Sequence, residues 1–114
     1  MKHDRVYLLH VRDAIERIKS YTAAGRTAFF GDSKTQDAVV RNLEIIGEAV
    51  KHVSETLKSA HGGVPWKRVA GMRDKLIHEY FGVNLDLVWE VVERELPTLG
   101  RSVEEILRAS SDPG

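Results

Sequence analysis

The sequence lacks the features of several common protein classes. It has no cysteine, which excludes disulfides and thiolate zinc sites. Its 9 glycines and 3 prolines are too few for a β-domain that turns about every ten residues. It has no apolar run of about 18 residues, the length that a membrane helix needs. The first residues lead into an amphipathic segment instead of a signal-peptide core, so we expect a cytoplasmic protein with no membrane segment.

The charge balance also excludes some partners. The 17 Lys and Arg residues offset 17 Asp and Glu residues, for a net charge of 0. A strongly electropositive coat for nucleic acid is therefore excluded, although a local basic patch is not. A neutral chain also does not resist self-association. At 114 residues the chain accommodates one core, which we place at residues 1–109, with a frayed tail at 110–114.

Apolar residues spaced three and four apart predict helices through nearly the whole chain. The first helix is predicted to begin with Asp4 as its N-cap and to end at Gly25. Residues 25–32 are predicted to form a loop whose Phe29 and Phe30 fill a gap between helices. The predicted apolar stripe of the first helix consists of Tyr7, Leu8, Val11, Ile15, Ile18 and Tyr21.

The second predicted helix is apolar on two faces. Ser33 and Gln36 fit a capping box at its start, and Gly62 ends it. A heptad-like seam is formed by Val39, Leu43, Ile46, Val50, Val53 and Leu57, and a second apolar face by Ala38, Ile45 and Ala49. A small chain has difficulty burying both faces, which indicates either central packing or a dimer contact.

Two further segments complete the predicted fold. A third helix is predicted between Pro65 and Gly82, and Asn84 is a suitable N-cap for a fourth. Pro97 either kinks the fourth helix or begins a fifth, because proline lacks the N–H that a helix interior needs. We therefore predict an all-α, up-and-down bundle of four to five helices.

One stretch, Gly71–Phe81, concentrates ionisable and phenolic side chains. On a helix, Asp74 and His78 are neighbours at i and i+4, so the carboxylate of Asp74 would hold one nitrogen of the imidazole. Arg73 and Tyr80, seven residues apart, would share an adjacent stripe. This pattern suits phosphodiester chemistry, in which His78 moves a proton and Arg73 neutralises charge on the phosphate oxygens.

Other catalytic chemistries have weaker support in the sequence. Each motif residue taken alone is also weaker evidence for catalysis than the whole pattern. No two histidines have the H-E-x-x-H spacing, so no metal site is expected. The sequence also has no glycine-rich phosphate loop and no G-x-S-x-G elbow. Taken singly, Arg73 is equally explained by pairing with Asp74 or Glu79. Likewise, His78 is explained as a partly buried histidine and Tyr80 as a core residue.

The ordered pattern Arg73-x4-His78-x-Tyr80 resembles the R-x4-H-x-Y signature of the HepT-like proteins of the HEPN superfamily. The stretches around it, Asp37–Ala49, Val64–Trp66, Val88–Trp89 and Leu96–Pro97, also resemble that family, and the similarity extends over about residues 4–107. One difference is Asp74, where the family often has asparagine. Either side chain can hydrogen-bond an imidazole, but a carboxylate favours the charged ring more.

The resemblance implies an all-helical, HEPN-like homodimer that is a metal-independent ribonuclease, with Arg73 and His78 catalytic and Asp74 supporting them. It implies no cofactor. The chain would be the toxin of a type VII-like toxin–antitoxin pair. A minimal nucleotidyltransferase would be the antitoxin, neutralising the toxin by AMPylation of Tyr80.

A different class of function stays open. The bundle could be a non-catalytic subunit that docks substrate to a nucleotidyltransferase, which the net charge of 0 favours slightly. A basic surface at the motif would instead favour the nuclease. A nucleotidyltransferase in the neighbouring reading frame would support the toxin–antitoxin interpretation.

Overall fold

Helices make up nearly all of the chain that the structure describes. The computed structural model describes residues 2–77 and 84–110, with only the backbone of Lys2, Arg73, Leu76, Ile77 and Ser110. The helices are α1 (Lys2–Tyr21), α2 (Arg26–Phe30), α3 (Ser33–Lys51), α4 (Glu55–Ala60), α5 (Trp66–Ala70), α6 (Met72–Ile77), α7 (Leu85–Glu90) and α8 (Leu96–Ser110), with a π-helical turn at Val91–Glu95. These two ranges contain no strand, which confirms the all-α class. Within them, no helix has the length and apolar character needed to span a membrane.

The core forms where α1 packs along α3 and against α8. The stripes predicted for α1 and α3 are confirmed by burial of Leu8, Val11, Ile15, Ile18, Val39, Leu43, Ile46 and Val50. From α8, Leu99, Val103, Ile106 and Leu107 join them. Each fully buried aliphatic side chain contributes about 1.5–3 kcal/mol by leaving water, so this three-helix contact is the main source of stability.

Asp4 has a different role from the predicted one. Helix α1 begins at Lys2, so Asp4 lies in its first turn and is not its N-cap. Its side chain is buried, and its carboxylate accepts hydrogen bonds from the backbone N–H and the hydroxyl of Ser54, at 2.7 and 2.6 Å. Ser54 is the N-cap of α4, where its hydroxyl oxygen accepts from the N–H of Leu57. A buried carboxylate is tolerated here because it accepts two hydrogen bonds.

The second predicted helix is in fact two helices. Helix α3 ends at Lys51, and α4 begins at Glu55. The apolar spacing continues across the break, so Val53 is buried and Leu57 is half-buried, although both lie beyond the end of α3. The extended backbone of Ser54, held by Asp4, starts the new helix. The seam was therefore predicted correctly and the single helix was wrong.

The N-cap of α3 is Asp32 and not Ser33. The Asp32 carboxylate accepts from the N–H of Lys34 and the hydroxyl of Thr35. These bonds, the one from Thr35 first, lower the pKa of Asp32 below its usual value. Gln36 does not complete a capping box, because its amide donates to the carbonyls of Phe29 and Phe30.

The predicted loop at 25–32 contains the short helix α2. It follows Gly25, whose φ of 94° favours glycine. The expected filling of a gap is confirmed for Phe29, which is buried with its ring 5.3 Å from those of Phe30 and Trp89.

Pro97 lies in the first turn of the last helix. Asn84 caps α7 as predicted, accepting from the N–H of Leu87. The π-helical turn follows, and α8 then begins at Leu96 with helical backbone angles. A wider turn before proline accommodates the missing N–H, and the start of α8 at Leu96 agrees with the second predicted outcome, a new helical piece at Pro97. Helix α8 extends to Ser110, and the rest of the predicted tail lies outside the described residues.

Candidate functional site

The predicted third helix is divided at Gly71, just before the motif. Gly71 ends α5 by donating its N–H to the carbonyl of Lys67, and its own carbonyl accepts from the N–H of Lys75 in α6. Three buried side chains, Trp66, Val69 and Met72, attach this pair of short helices to the core. The Trp66 indole N–H also donates to the carbonyl of His61 at 3.0 Å, which fixes the start of α5.

Helix α3 approaches the end of α5 backbone to backbone. A Cβ added at Gly47 would lie 3.3 Å from the carbonyl oxygen of Ala70 and 3.4 Å from that of Val69. The first separation is shorter than an ordinary van der Waals contact, and the second is at the lower limit of one. The absence of a side chain at Gly47 therefore sets how closely α5, and α6 directly after it, pack on α3.

The structure places part of the predicted motif on α6. Arg73 is the second residue of the helix and Asp74 the third, and the Asp74 side chain is exposed. His78 and Tyr80 lie outside the described residues. The hydrogen bond from Asp74 to His78 and the common stripe of Arg73 and Tyr80 therefore stay predictions. The single predicted helix from Pro65 to Gly82 was wrong as far as Ile77, because Gly71 interrupts it.

The exposed charged residues next to Arg73 in the sequence are mostly basic, although the whole chain is neutral. Residues 67–75 contain Lys67, Arg68, Arg73 and Lys75 but only one carboxylate, that of Asp74. Lys67 and Lys75 are exposed. Arg68 forms a 2.8 Å ion pair with Glu95. This ion pair connects α5 to the π-helical turn that precedes α8. A basic patch of this kind attracts phosphate groups.

A second polar cluster lies in a groove between α1 and α3, and sequence analysis missed it. The Tyr7 ring stacks on that of His52, with centroids 4.9 Å apart, and His10 meets Tyr7 edge-on at 6.1 Å. His52 also pairs with Glu48 at 3.2 Å. Tyr7 and Tyr21 were predicted as core, but Tyr7 is half-buried and Tyr21 is 40% exposed. In the described ranges, no three His, Cys, Asp or Glu side chains are grouped to hold a metal ion.

Comparison with known proteins gives a consistent result. The "Ribonuclease HepT-like" family model matches residues 11–106. The "Putative RNase TTE0752" of Caldanaerobacter subterraneus subsp. tengcongensis is 47% identical over 112 residues, which is 95% of this chain and 97% of that protein. The "Probable ribonuclease HepT" of Thermococcus cleftensis is 44% identical over 101 residues, 88% of this chain and 92% of that one.

A third relative places a similar sequence inside a larger protein. The "Gamma-glutamylcyclotransferase and putative RNase MJ0434" of Methanocaldococcus jannaschii is 42% identical over 107 residues, 93% of this chain but only 48% of that protein. No solved structure matches the chain significantly. The family match spans the core helices and the segment that carries Arg73 and His78, and the chain therefore belongs to the HepT-like ribonuclease family.

Proposed function

We propose that this chain is a metal-independent endoribonuclease in which Arg73 and His78 carry out the cleavage. The observation that carries the proposal is the family match over residues 11–106, which includes both residues. Two near-full-length relatives have names that describe them as ribonucleases. The basic surface of α5 and α6 around Arg73 is also suited to an RNA backbone.

The proposed reaction is an attack of the RNA 2′-oxygen on the adjacent phosphorus. The P–O2′ bond forms and the P–O5′ bond breaks, which leaves a 2′,3′-cyclic phosphate and a 5′-hydroxyl. The imidazole of His78 takes the 2′ proton, and a second imidazole gives a proton to the departing 5′ oxygen. Arg73 stabilises the negative charge that develops on the phosphorus oxygens. Asp74 supports the reaction by orienting His78.

A homodimer would supply two copies of His78. The outer face of α3 is suited to form the interface of such a dimer. Arg41 and Glu48 are both exposed there, with the half-buried Ile45 nearby. When two α3 helices pair antiparallel about a twofold axis between residues 44 and 45, Arg41 of each copy faces the partner subunit's Glu48. Such self-complementary charge is what an isologous interface requires.

Charge reversal tests this interface by sedimentation velocity. Arg41→Glu alone should weaken the dimer, because two carboxylates would then face each other. The double variant Arg41→Glu/Glu48→Arg should restore the dimer, since the two opposite charges have only exchanged places. A wild-type monomer at micromolar concentration would contradict the dimer, and failure of the double variant to restore it would place the interface elsewhere.

RNA cleavage is tested directly with purified protein in the presence of EDTA. We expect cleavage to be unchanged by the chelator and the products to carry cyclic phosphate ends. Strict dependence on magnesium would contradict the mechanism. Binding of a nucleotidyltransferase with no RNA cleavage would instead support the alternative of a non-catalytic docking subunit, which the neutral net charge favours.

We further propose that the chain is the toxin of a toxin–antitoxin pair and that a minimal nucleotidyltransferase neutralises it by transferring AMP to Tyr80. The Tyr80 hydroxyl oxygen would attack the α-phosphorus of ATP and release pyrophosphate. The added nucleotide brings bulk and a negative charge to the motif, where both would compete with an RNA phosphate for Arg73. This proposal is supported by the Arg73-x4-His78-x-Tyr80 pattern in a chain of this family.

A further inference from the structure

The contact between α3 and the end of α5 is too tight for a side chain at residue 47 unless the neighbouring backbone shifts by a few tenths of an ångström. Gly47 is buried near the C-terminal end of α3, four residues before Lys51, opposite the carbonyl groups of Val69 and Ala70. The two oxygens lie 3.4 and 3.3 Å from the position of an added Cβ, and the carbonyl carbon of Ala70 lies at 4.0 Å. All three atoms belong to the backbone, so they cannot move aside by side-chain rotation.

Any atom added at residue 47 must therefore displace α5 from α3 or distort one of them. Ala70 is three residues before Arg73, and the two are joined through Gly71, whose N–H and carbonyl bond to both short helices. A displacement of Ala70 is thus transmitted to the first turn of α6. Trp66 and Met72, buried on either side, limit how far the segment can relax.

We propose that Gly47 is a positioning residue of the ribonuclease site, which holds the Arg73 turn at its working distance from α3. This inference rests on the proposed function. Gly47 touches no substrate and acts only through the carbonyls of Val69 and Ala70. A misplacement of about 1 Å can reduce the rate of an enzyme about 100-fold, so a displacement of a few tenths of an ångström should cost about 3- to 10-fold.

Gly100 provides a matched control. It also lies inside a long helix, α8, but a Cβ there would meet only the Ile15 side chain, at 3.7 and 3.9 Å. Those are ordinary van der Waals distances. Gly47→Ala and Gly100→Ala gain similar helix propensity, so a difference between them reports the contact with α5 and not the loss of a flexible residue.

The experiment measures kcat and KM for RNA cleavage by the wild type, Gly47→Ala and Gly100→Ala. We expect Gly47→Ala to lower kcat about 3- to 10-fold, as derived above, with KM changed less than about twofold because Lys67 and Lys75 still attract phosphate. Amide chemical shifts should change at residues 66–77. Gly100→Ala should leave kcat and those shifts as in the wild type.

The double variant Gly47→Ala/Gly100→Ala separates positioning from stability. If Gly47→Ala loses rate only because it unfolds, the second alanine should restore kcat together with the melting temperature, and the proposal is overturned. A stable double variant that stays slow supports it. Equal kcat in the wild type and Gly47→Ala overturns the positioning role alone, whereas no cleavage by the wild type overturns the proposed function as well.

Discussion

The long core helices and the short helices of the motif differ in how they are stabilised. Helices α1 and α3 have 20 and 19 residues and bury continuous apolar stripes. Helices α5 and α6 have 5 and 6 residues, far below the roughly 12–15 at which isolated helices become even marginally stable in water. Their stability comes from anchors such as Trp66 and from packing on α3. The region proposed for chemistry thus depends on the core for its position.

The largest expected effect is on RNA cleavage, and it distinguishes the motif from the long core helices. His78→Ala should lower RNA cleavage about 10²- to 10⁴-fold, the usual loss of one general acid–base group. The melting temperature should change little, because the core helices carry most of the stability. His10→Ala, which removes an exposed histidine of α1, is the control and should keep full activity. Full activity of His78→Ala would contradict the mechanism, and unfolding would favour a core role for this histidine.

The opposite result is expected in the core. Leu43 is fully buried in α3, so Leu43→Ala should lower the free energy of unfolding by about 2–5 kcal/mol through lost burial and a cavity. Urea denaturation measures the change. The kcat of the fraction that stays folded should be close to that of the wild type. A loss below 1 kcal/mol, far under the range for such substitutions, would mean that this core contributes less than its burial indicates.

A smaller effect is expected where α1 holds α4. Asp4→Ala removes the acceptor of two hydrogen bonds and leaves the N–H of Ser54 unpaired, at a cost of about 1–3 kcal/mol. The control is Asp13→Ala, because Asp13 is an exposed carboxylate of the same helix. Equal melting temperatures for the two variants would show that the buried bonds add nothing. Cleavage should be unaffected by either substitution.

Modification of Tyr80 can be compared with that of an exposed tyrosine outside the motif. Co-expression with the nucleotidyltransferase should add AMP to Tyr80, seen by intact mass, and cleavage should stop. Tyr80→Phe should prevent both effects, whereas Tyr21→Phe should prevent neither, although Tyr21 is 40% exposed. AMP found on Tyr21 or Tyr7 would contradict the assignment of Tyr80.

The smallest expected effect concerns the N-cap of α3. The lowered pKa of Asp32 means that its charged form is stabilised in the folded chain relative to the unfolded one. This contribution is present above the ordinary pKa of 3.8 and is lost as the pH falls through the lower pKa of the folded state. Asp32→Asn should therefore weaken the fall in stability as the pH drops below the ordinary pKa of 3.8. Identical slopes for variant and wild type would contradict the cap contribution.

Sequence periodicity was a reliable guide to which residues are buried but a poor one to helix ends. Leu43, Ile46 and Val50 are buried as expected, because apolar spacing is local and burial follows it. The caps do not follow from apolar spacing, because adjacent polar residues compete for the same backbone N–H groups. Ser33 fits a capping box, yet Asp32 beside it accepts the bonds. Asn84, which has no competing neighbour of this kind, was predicted correctly.

The sequence alone determined the all-α class, the apolar stripes and the motif, since each depends on residues within a few turns of one another. Only the tertiary structure decided the partner of Asp4, 50 residues away, the division of the second helix at Ser54 and the contact of Gly47 with Ala70. These features depend on how closely two helices approach, which is set by packing and not by periodicity. For that reason the segment from Pro65 to Gly82 was predicted as one long helix, while as far as Ile77 the structure has two short ones, the first of which meets a glycine of α3.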